Sequence, residues 1–191
     1  MKADEPPHQR LRYTDIFFTY FFYNQTGSTC MCSEHALAFI FSGELTVCNA
    51  GREVTVRKGE YIFLCKDTNT ILTRKAYGGE PFRSVFMGFS RSFLYKFYCQ
   101  MDKNIIPAKT RDFHKSIIEL PKKPYIESIY VSLLPYLTWN VKPIRPIMKL
   151  KLVEAVLALL LTDERFYTCL FDFHLPSMPQ KINQSGYLND N

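Results

Sequence analysis

Two patterns of hydrophobic and polar positions divide the chain. From residue 16 to about residue 90, short apolar segments such as HALAFIFSGELTV, REVTVR and EYIFLC are separated by glycine-containing turns. Segments of this length, rich in β-branched and aromatic residues, predict strands, and strands at this spacing predict a sandwich or barrel. From residue 91 onward the apolar residues recur mainly at helical spacing. The pattern therefore predicts a β domain followed by helices.

Three helices are predicted in the second half. The first follows Ser90, which suits an N-cap, the second starts at Pro124 and is bent or ended by Pro135, and the third covers 146–164. The polar segment 176–191 is typical of a linker. We therefore expect an N-terminal arm (1–15), a barrel (16–90), a helical region (91–175) and a linker (176–191).

Composition narrows the class of protein. A hydrophobic fraction of 47% and an aromatic fraction of 15% indicate an ordered globular chain. The formal net charge of +6 permits contact with nucleic acid, but the basic residues are scattered and form no dense arm. No leader-like segment and no apolar run of roughly 20 residues is visible, so we expect a cytoplasmic protein without a membrane span, with its cysteines as thiols.

Glycines in the strand region match the frame of a cupin barrel motif. The motif contains Gly, five residues and Pro-x-Gly, and Gly51 and Gly59 keep this spacing with Arg57 in place of Pro. Gly43 closes the motif that precedes it. The frame resembles that of barrels that hold a metal ion, so the positions of the metal ligands can be located in this chain.

Those ligand positions are occupied by other residues. The His-x-His pair falls on Cys30 and Cys32, the glutamate on Ala36 and the later histidine on Ile62. A divalent ion needs three or four converging N, S or O donors. We therefore predict no bound metal and no cofactor, with the two cysteines packed as small apolar side chains. His35 lies one residue off the inward parity of the strand.

Strand parity predicts what faces the barrel interior instead. Alternation places Ala38 and Ile40 inside with Ala36, whereas Leu37 and Phe39 face outward with Phe41. Small inward side chains leave room for one small ligand in a barrel of about eight strands. The predicted ligand-binding residues are Cys30, Cys32, Ala36, Ala38, Ile62 and Leu64. The alternative is that aromatic residues such as Phe18 and Phe22 fill this space.

An ordered series of segments resembles a known family. SGEL, KGEYIFL, GGEPFRSVFMGFSRSFLYKFY, SLLPYL, LKLVEAVLALLL and FYTCLFDF–QKIN are similar to the N-terminal region of AraC-type transcriptional regulators, in a branch frequent in Bacteroidetes. The resemblance covers about residues 16–183. It implies an α+β, mainly β fold: a metal-less, cupin-like jelly-roll barrel followed by a small helical dimerisation region. It also implies a homodimer, an unknown small-molecule effector and no enzymatic activity.

The resemblance has consequences for DNA binding. Such regulators continue into two helix-turn-helix units of roughly 100 residues, which read the major groove. This chain ends at Asn191 without them, so we expect contact with promoter DNA only through a domain outside the chain. The chain is then either the regulatory half of a longer regulator or a naturally short protein.

The third predicted helix is the candidate for subunit contact. From Ala155 onward seven successive residues are apolar, whereas a surface helix normally carries one apolar stripe. In AraC-type proteins the helix in this place pairs with its twin, which implies a two-fold interface. Candidates on one stripe are Met148, Leu152, Ala155 and Leu159. The alternative is that the segment 124–137 covers this face within one chain.

Two other functions remain open. A cupin enzyme would need the missing metal ligands, and the histidines His8, His35, His114 and His174 are far apart in sequence. A dimerisation scaffold with a ligand-free barrel would need no ligand site at all.

Overall fold

Two antiparallel sheets face each other, and helices pack on the outer face of the larger sheet. The computed structural model describes residues 9–13, 16–20, 25–66, 68–102, 116–138 and 144–173, with side chains described from residue 33 onward, except those of 137 and 138. The strands are β1 Gln9–Tyr13, β2 Ile16–Tyr20, β3 Gln25–Cys32, β4 His35–Ser42, β5 Glu44–Asn49, β6 Arg52–Arg57, β7 Tyr61–Leu64, β8 Thr68–Lys75, β9 Arg83–Phe89 and β10 Ile117–Leu120. The helices are α1 Arg91–Gln100, α2 Pro124–Val131, α3 Leu134–Thr138, α4 Arg145–Thr162 and α5 Arg165–Phe171.

The strand order matches the predicted cupin-like architecture. The larger sheet has the order β1-β2-β9-β4-β7-β10 and the smaller one β3-β8-β5-β6, with neighbours antiparallel. The prediction of an α+β, mainly β fold is confirmed. β1 and β10 lie outside the predicted barrel range 16–90, and β10 stands in the part for which we predicted helices. Its four residues, IIEL, are too short to show a clear period.

Strand parity in β4 is as predicted. Ala36 and Ala38 lie in the apolar cluster between the two sheets, which we call the interior cluster. Leu37 and Phe39 lie in a second cluster between the larger sheet and the helices, the helix-side cluster. Because side chains alternate along a strand, β4 separates these two cores.

Gly43 makes the tight turn between β4 and β5. Its φ is 74°, and a Cβ at this position would lie 2.6 Å from the carbonyl oxygen of Lys75 and 2.7 Å from Cα of Phe82. Only glycine combines the left-handed conformation with so close an approach of backbone. The turn therefore fixes how β4 and β5, which belong to different sheets, are joined.

The helix boundaries agree in part with the predicted capping and proline signals. Ser90 caps α1, since its Oγ accepts a hydrogen bond from Phe93 N at 3.2 Å. The helix predicted from Pro124 is broken into α2 and α3 around Leu133, because Pro135 cannot donate a hydrogen bond and its ring clashes with the carbonyl of Val131. α5 was not predicted, since seven residues give too short a period to detect.

Aromatic stacking joins the helices to the larger sheet. The ring of Tyr130 on α2 stacks on Phe39 of β4 with 4.7 Å between centroids, and Phe166 of α5 meets Phe63 of β7 edge-on at 5.1 Å. Such pairs contribute about 0.5–1.5 kcal/mol beyond the area that they bury. α2 and α5 are therefore fixed on the sheet at defined places.

Candidate functional site

The described candidate ligand-binding residues lie together between the sheets. Ala36 and Ala38 on β4 pair with Leu64 and Ile62 on β7, and all four side chains belong to the interior cluster. They form an apolar wall with two small side chains. The backbone of β3 pairs Cys30 with Thr70 and Cys32 with Thr68, but the side chains of these cysteines are outside the described residues.

Polar side chains also face this interior. On β8, Thr70 and Arg74 alternate with Ile71 and share the face of Leu72, a member of the interior cluster. Both are buried, and Arg74 is only 5% exposed. Arg74 therefore places a guanidinium, and Thr70 a hydroxyl, on the face of β8 that is turned toward the interior.

A buried hydroxyl lies at the same end of the barrel. Ser84 on β9 pairs with Ile40, and Arg74 on β8 pairs with Leu45, so both flank the Gly43 turn. The Oγ of Ser84 is buried and has no hydrogen-bond partner among the described residues. An unsatisfied buried hydroxyl costs about 1–3 kcal/mol, which a bound molecule with an acceptor or donor would recover.

The inward position of Arg74 can be recognised from the alternation of residues in β8. The alternation in TNTILTRK places Thr70, Leu72 and Arg74 on one face. The positions that hold metal ligands in cupins lie on other strands, and β8 carries none of them. Ser84 had no such signal, because four of the six residues of β9 after Arg83 are apolar, all except Ser84 and Gly88, and the strand is buried on both faces.

A second group of chemically active side chains lies on the helix side. We call His35, Cys65 and Cys169 the thiol cluster. One ligand-type atom of each residue lies within 4.8 Å of the other two, and the two Sγ atoms are 3.6 Å apart. Cys65 follows β7 and Cys169 is on α5. The predicted outward parity of His35 is thus observed.

The hydrogen bond that His35 accepts determines which ring nitrogen carries the proton. Its Nδ1 accepts from the backbone N–H of Lys66 at 3.1 Å. A backbone N–H can only donate, so Nδ1 carries no proton and the neutral ring holds its proton on Nε2. A metal ion would need a lone pair on a ring nitrogen. In this arrangement Nδ1 is occupied and Nε2 carries the proton without a hydrogen-bond partner among the described residues, so the ring is a poor metal ligand.

The two thiols are electrostatically different. The hydrogen bond from Cys169 lowers the pKa of Cys65, and His35 lowers it further against the opposing effect of burial. The same hydrogen bond, with burial, raises the pKa of Cys169. Cys65 is therefore the sulfur that becomes a thiolate, and Cys169 is the one that keeps its proton.

The residues predicted for subunit contact are placed elsewhere by the structure. Met148, Leu152, Ala155 and Leu159 are at most 1% exposed and belong to the helix-side cluster of a single chain. The physical reason is that α2 packs on this face of α4, which was the alternative raised above. These side chains are covered within a single chain, and the assignment of this stripe to a subunit interface stays a prediction.

Another stripe of α4 is exposed. Leu150, Leu157 and Leu161 are 66%, 42% and 75% exposed, and they recur at helical spacing on the opposite side of the helix. Ile144, just before α4, is also exposed. Among the described helices, none has the length and apolarity needed to cross a membrane.

Comparisons with known proteins give the family context. A family model described as the ExsA N-terminal regulatory domain matches residues 35–168. No curated protein is similar enough in sequence to count as a match. A solved structure of apo ToxT K231A from Vibrio cholerae strain SCE256 has a TM-score of 0.56 and 12% identity, covering 83% of this chain and 59% of that one.

A second ToxT structure from the same strain contains a bound unsaturated fatty acid. It has a TM-score of 0.52 and 12% identity, and the match covers 84% of this chain and 56% of that one. At this level of identity the likeness shows the fold alone. The chain spans less than two thirds of the length of these ToxT chains.

Proposed function

Because the chain belongs to the ExsA N-terminal regulatory domain family, and is thus the regulatory region of an AraC-type regulator, we propose that its barrel binds a small-molecule effector. The observation that carries the proposal is the interior itself: an apolar wall with small side chains at Ala36 and Ala38, and polar groups at Arg74 and Ser84. Binding sites for small molecules commonly combine an apolar lining with a few placed polar groups.

The chemistry of this interior favours a carboxylate attached to an apolar body. A guanidinium pairs well with a carboxylate through two parallel hydrogen bonds, and Ser84 can add a third. The apolar wall suits a hydrocarbon portion. ToxT, which shares the fold, has been solved with an unsaturated fatty acid bound. We therefore extend the predicted site of Cys30, Cys32, Ala36, Ala38, Ile62 and Leu64 by Arg74 and Ser84.

Thermal unfolding with two matched probes tests this proposal. Oleate should stabilise the chain, and oleyl alcohol, which lacks the carboxylate, should stabilise it much less. A ligand at 100 times its Kd stabilises by about 2.7 kcal/mol, which for a chain of this size is a Tm shift of roughly 5–11 °C. Equal shifts for acid and alcohol would contradict the role of Arg74.

A pair of variants on β8 sharpens the experiment. Arg74→Gln removes the buried cation, whereas Lys75→Gln removes the exposed cation of the next residue, which faces the other way. Only Arg74→Gln should abolish the shift caused by oleate. If neither variant changes it, the acid binds outside the interior. If no carboxylate or neutral probe stabilises the chain, the ligand-free scaffold becomes the better description.

We further propose that two copies of the chain associate through α4. The surface consists of Leu150, Leu157 and Leu161, which we call the leucine stripe. Three exposed leucines on one helix face are unusual for an isolated surface helix, and a second copy offers a self-complementary apolar partner through a two-fold axis. The family resemblance supports the same helix as the dimer element, with a different face turned toward the partner.

The regulator as a whole is proposed to act on promoter DNA through helix-turn-helix units outside this chain. We propose a bacterial cytoplasmic location and a regulatory role without catalysis. The division into arm (1–15), barrel (16–90), helical region (91–175) and linker (176–191) also stays a proposal. Effector binding would act by favouring one of two conformations, which requires different affinity for the two.

A further inference from the structure

In the thiol cluster, the pKa of Cys65 is lowered and that of Cys169 is raised, and the proposed effector site does not involve either residue. The thiol cluster lies on the helix side of the larger sheet, whereas the proposed ligand site lies between the sheets. Cys65 and Cys169 are separated by 104 positions in sequence, yet their sulfurs are 3.6 Å apart. A disulfide needs about 2.05 Å between sulfurs. Small rotations of two side chains that are already in contact would therefore suffice.

We propose that Cys65 and Cys169 form a redox-active thiol pair, in which a hydroperoxide oxidises Cys65 and Cys169 then closes a disulfide. Both cysteines are reduced and half-buried. A cleft of about 180 Å³ lies beside them and is lined by Lys66 and Leu170, the residues that follow them directly in sequence, and by His35. A small oxidant in this cleft would lie against His35, the third member of the thiol cluster.

The first step is a two-electron oxidation of Cys65. Its thiolate attacks one oxygen of the hydroperoxide, an S–O bond forms and the O–O bond breaks. The departing alkoxide, or hydroxide in the case of hydrogen peroxide, takes up a proton and leaves as alcohol or water. Cys65 becomes a sulfenic acid and the peroxide is reduced. The lowered pKa of Cys65 increases the thiolate fraction that starts this step.

The second step uses the neighbouring sulfur. Cys169 attacks the sulfenic sulfur of Cys65, the S–S bond forms and the S–O bond breaks. The departing hydroxide combines with the proton of the Cys169 thiol and leaves as water. In total, two thiols and one hydroperoxide give one disulfide, one water and one alcohol, or two waters when the oxidant is hydrogen peroxide. Thiol reductants would reverse the change.

The surroundings of the pair have mixed charge. The titratable and charged groups that act on the two sulfurs are His35 from β4, Lys66 after β7 and Asp172 after α5. Lys66 also fixes the end of α5, since its Nζ donates to the carbonyl oxygen of Asp172 at 2.9 Å. His35 is a positioning residue: it is buried, it stacks on Phe63, and it lowers the pKa of Cys65.

Peptide mapping of the whole reduced chain after one equivalent of hydrogen peroxide tests the proposal. The expected product is a Cys65–Cys169 disulfide with loss of two hydrogen atoms, while the exposed Cys99 stays reduced. In Cys169→Ser, Cys65 should stop at the sulfenic acid, which dimedone traps. Cys99→Ser is the matched control and should oxidise as the unchanged chain does.

The pH dependence of alkylation in the unchanged chain tests the proposal without a variant that could fail to fold. Alkylation by iodoacetamide, followed from about pH 5 to pH 9, should modify Cys65 at lower pH in the native chain than in the urea-denatured chain, where cysteine has a pKa of about 8.5. His35→Phe should move the native midpoint upward. Identical native and denatured profiles would overturn the proposal. So would a stoichiometric zinc ion that is lost from Cys65→Ser, because the sulfurs would then be ligands.

Discussion

The strongest test of the helical region compares two leucines of α4 that lie five residues apart. Leu152 is fully buried in the helix-side cluster, whereas Leu157 is 42% exposed and belongs to the leucine stripe. The fold buries Leu152 inside the chain and leaves Leu157 exposed. Substitutions at these positions should therefore change different properties: folding stability at Leu152 and association at Leu157.

The size of the effect at Leu152 follows from its burial. Replacing a fully buried leucine by alanine costs about 2.7–5.0 kcal/mol, because transfer energy is lost and a cavity is left. For a chain of this length each kcal/mol lowers the Tm by roughly 2–4 °C, so Leu152→Ala should lower it by roughly 5–20 °C. Leu152→Asp loses the same apolar contacts and also buries an unpaired carboxylate. The two costs together approach the entire free energy of unfolding of a typical domain, about 5–15 kcal/mol.

The effect at Leu157 is smaller in the folded chain. Fully burying a leucine gains about 1.5–3 kcal/mol, and Leu157 is little more than half buried, so Leu157→Ala should cost about 1 kcal/mol of folding free energy. Leu157→Asp would place a charge at the centre of the leucine stripe. It should weaken association strongly while the chain stays folded, since the carboxylate remains in contact with water in the single chain.

Urea unfolding by circular dichroism and light scattering after gel filtration measure the two properties separately. The expected result is a large loss of stability for Leu152→Ala and a folded monomer for Leu157→Asp. A stable, folded monomer from Leu152→Asp would refute the reasoning, because Leu152 would then belong to the interface. A wild-type chain that is monomeric at high micromolar concentration would refute the dimer on either face.

Three further predictions concern the barrel and its outer core. Ala38→Phe should cost about 1–3 kcal/mol of folding free energy if the interior is already filled. If the interior is open, the variant should keep nearly unchanged stability but lose oleate binding. Urea unfolding and the Tm shift caused by oleate distinguish the two outcomes. Gly51→Ala, whose added Cβ meets nothing within 4 Å, should cost about 1–2 kcal/mol for the left-handed conformation alone. Gly43→Ala should cost more in urea unfolding, because its Cβ would also lie 2.6 Å from the carbonyl oxygen of Lys75. The buried hydroxyl of Tyr130 has no hydrogen-bond partner among the described residues, and burial raises the pKa of Tyr130 well above 10. The free energy of unfolding should therefore fall as pH rises through about 10, where the tyrosine of the unfolded chain ionises. Tyr130→Phe should remove this contribution in a series of unfolding measurements at alkaline pH.

The sequence predicted the barrel better than the surfaces around it. Parity in β4 needs only the alternation of a strand, and the structure places Ala38 and Phe39 as that rule requires. Elements of four and seven residues, β10 and α5, were missed because too few positions are available to define a period. For the same reason, no local pattern connects Cys65 with Cys169, which meet only when α5 packs on the sheet.

The exposed face of α4 could not be identified from the sequence for a different reason. A stretch that is apolar on every side shows that more than one neighbour covers the helix, but it does not show which neighbour covers which face. The packing of α2 decides this, by taking the side that contains Leu152 and leaving Leu157 outside. Periodicity gives the faces of a helix, and only tertiary structure assigns them to partners.

The end of β7 connects the two candidate sites. Leu64, the last residue of the strand, is part of the interior wall, and the next residue, Cys65, belongs to the thiol cluster on the helix side. A ligand that displaces Leu64 would move the backbone that carries Cys65, and a disulfide to Cys169 would restrain that same backbone. Linkage requires the coupling to be reciprocal. Oxidation should therefore change the affinity for oleate by the same factor by which oleate changes the equilibrium between thiols and disulfide. Equal affinity of the reduced and the oxidised chain for oleate, measured by titration calorimetry, would show that the two sites are not coupled.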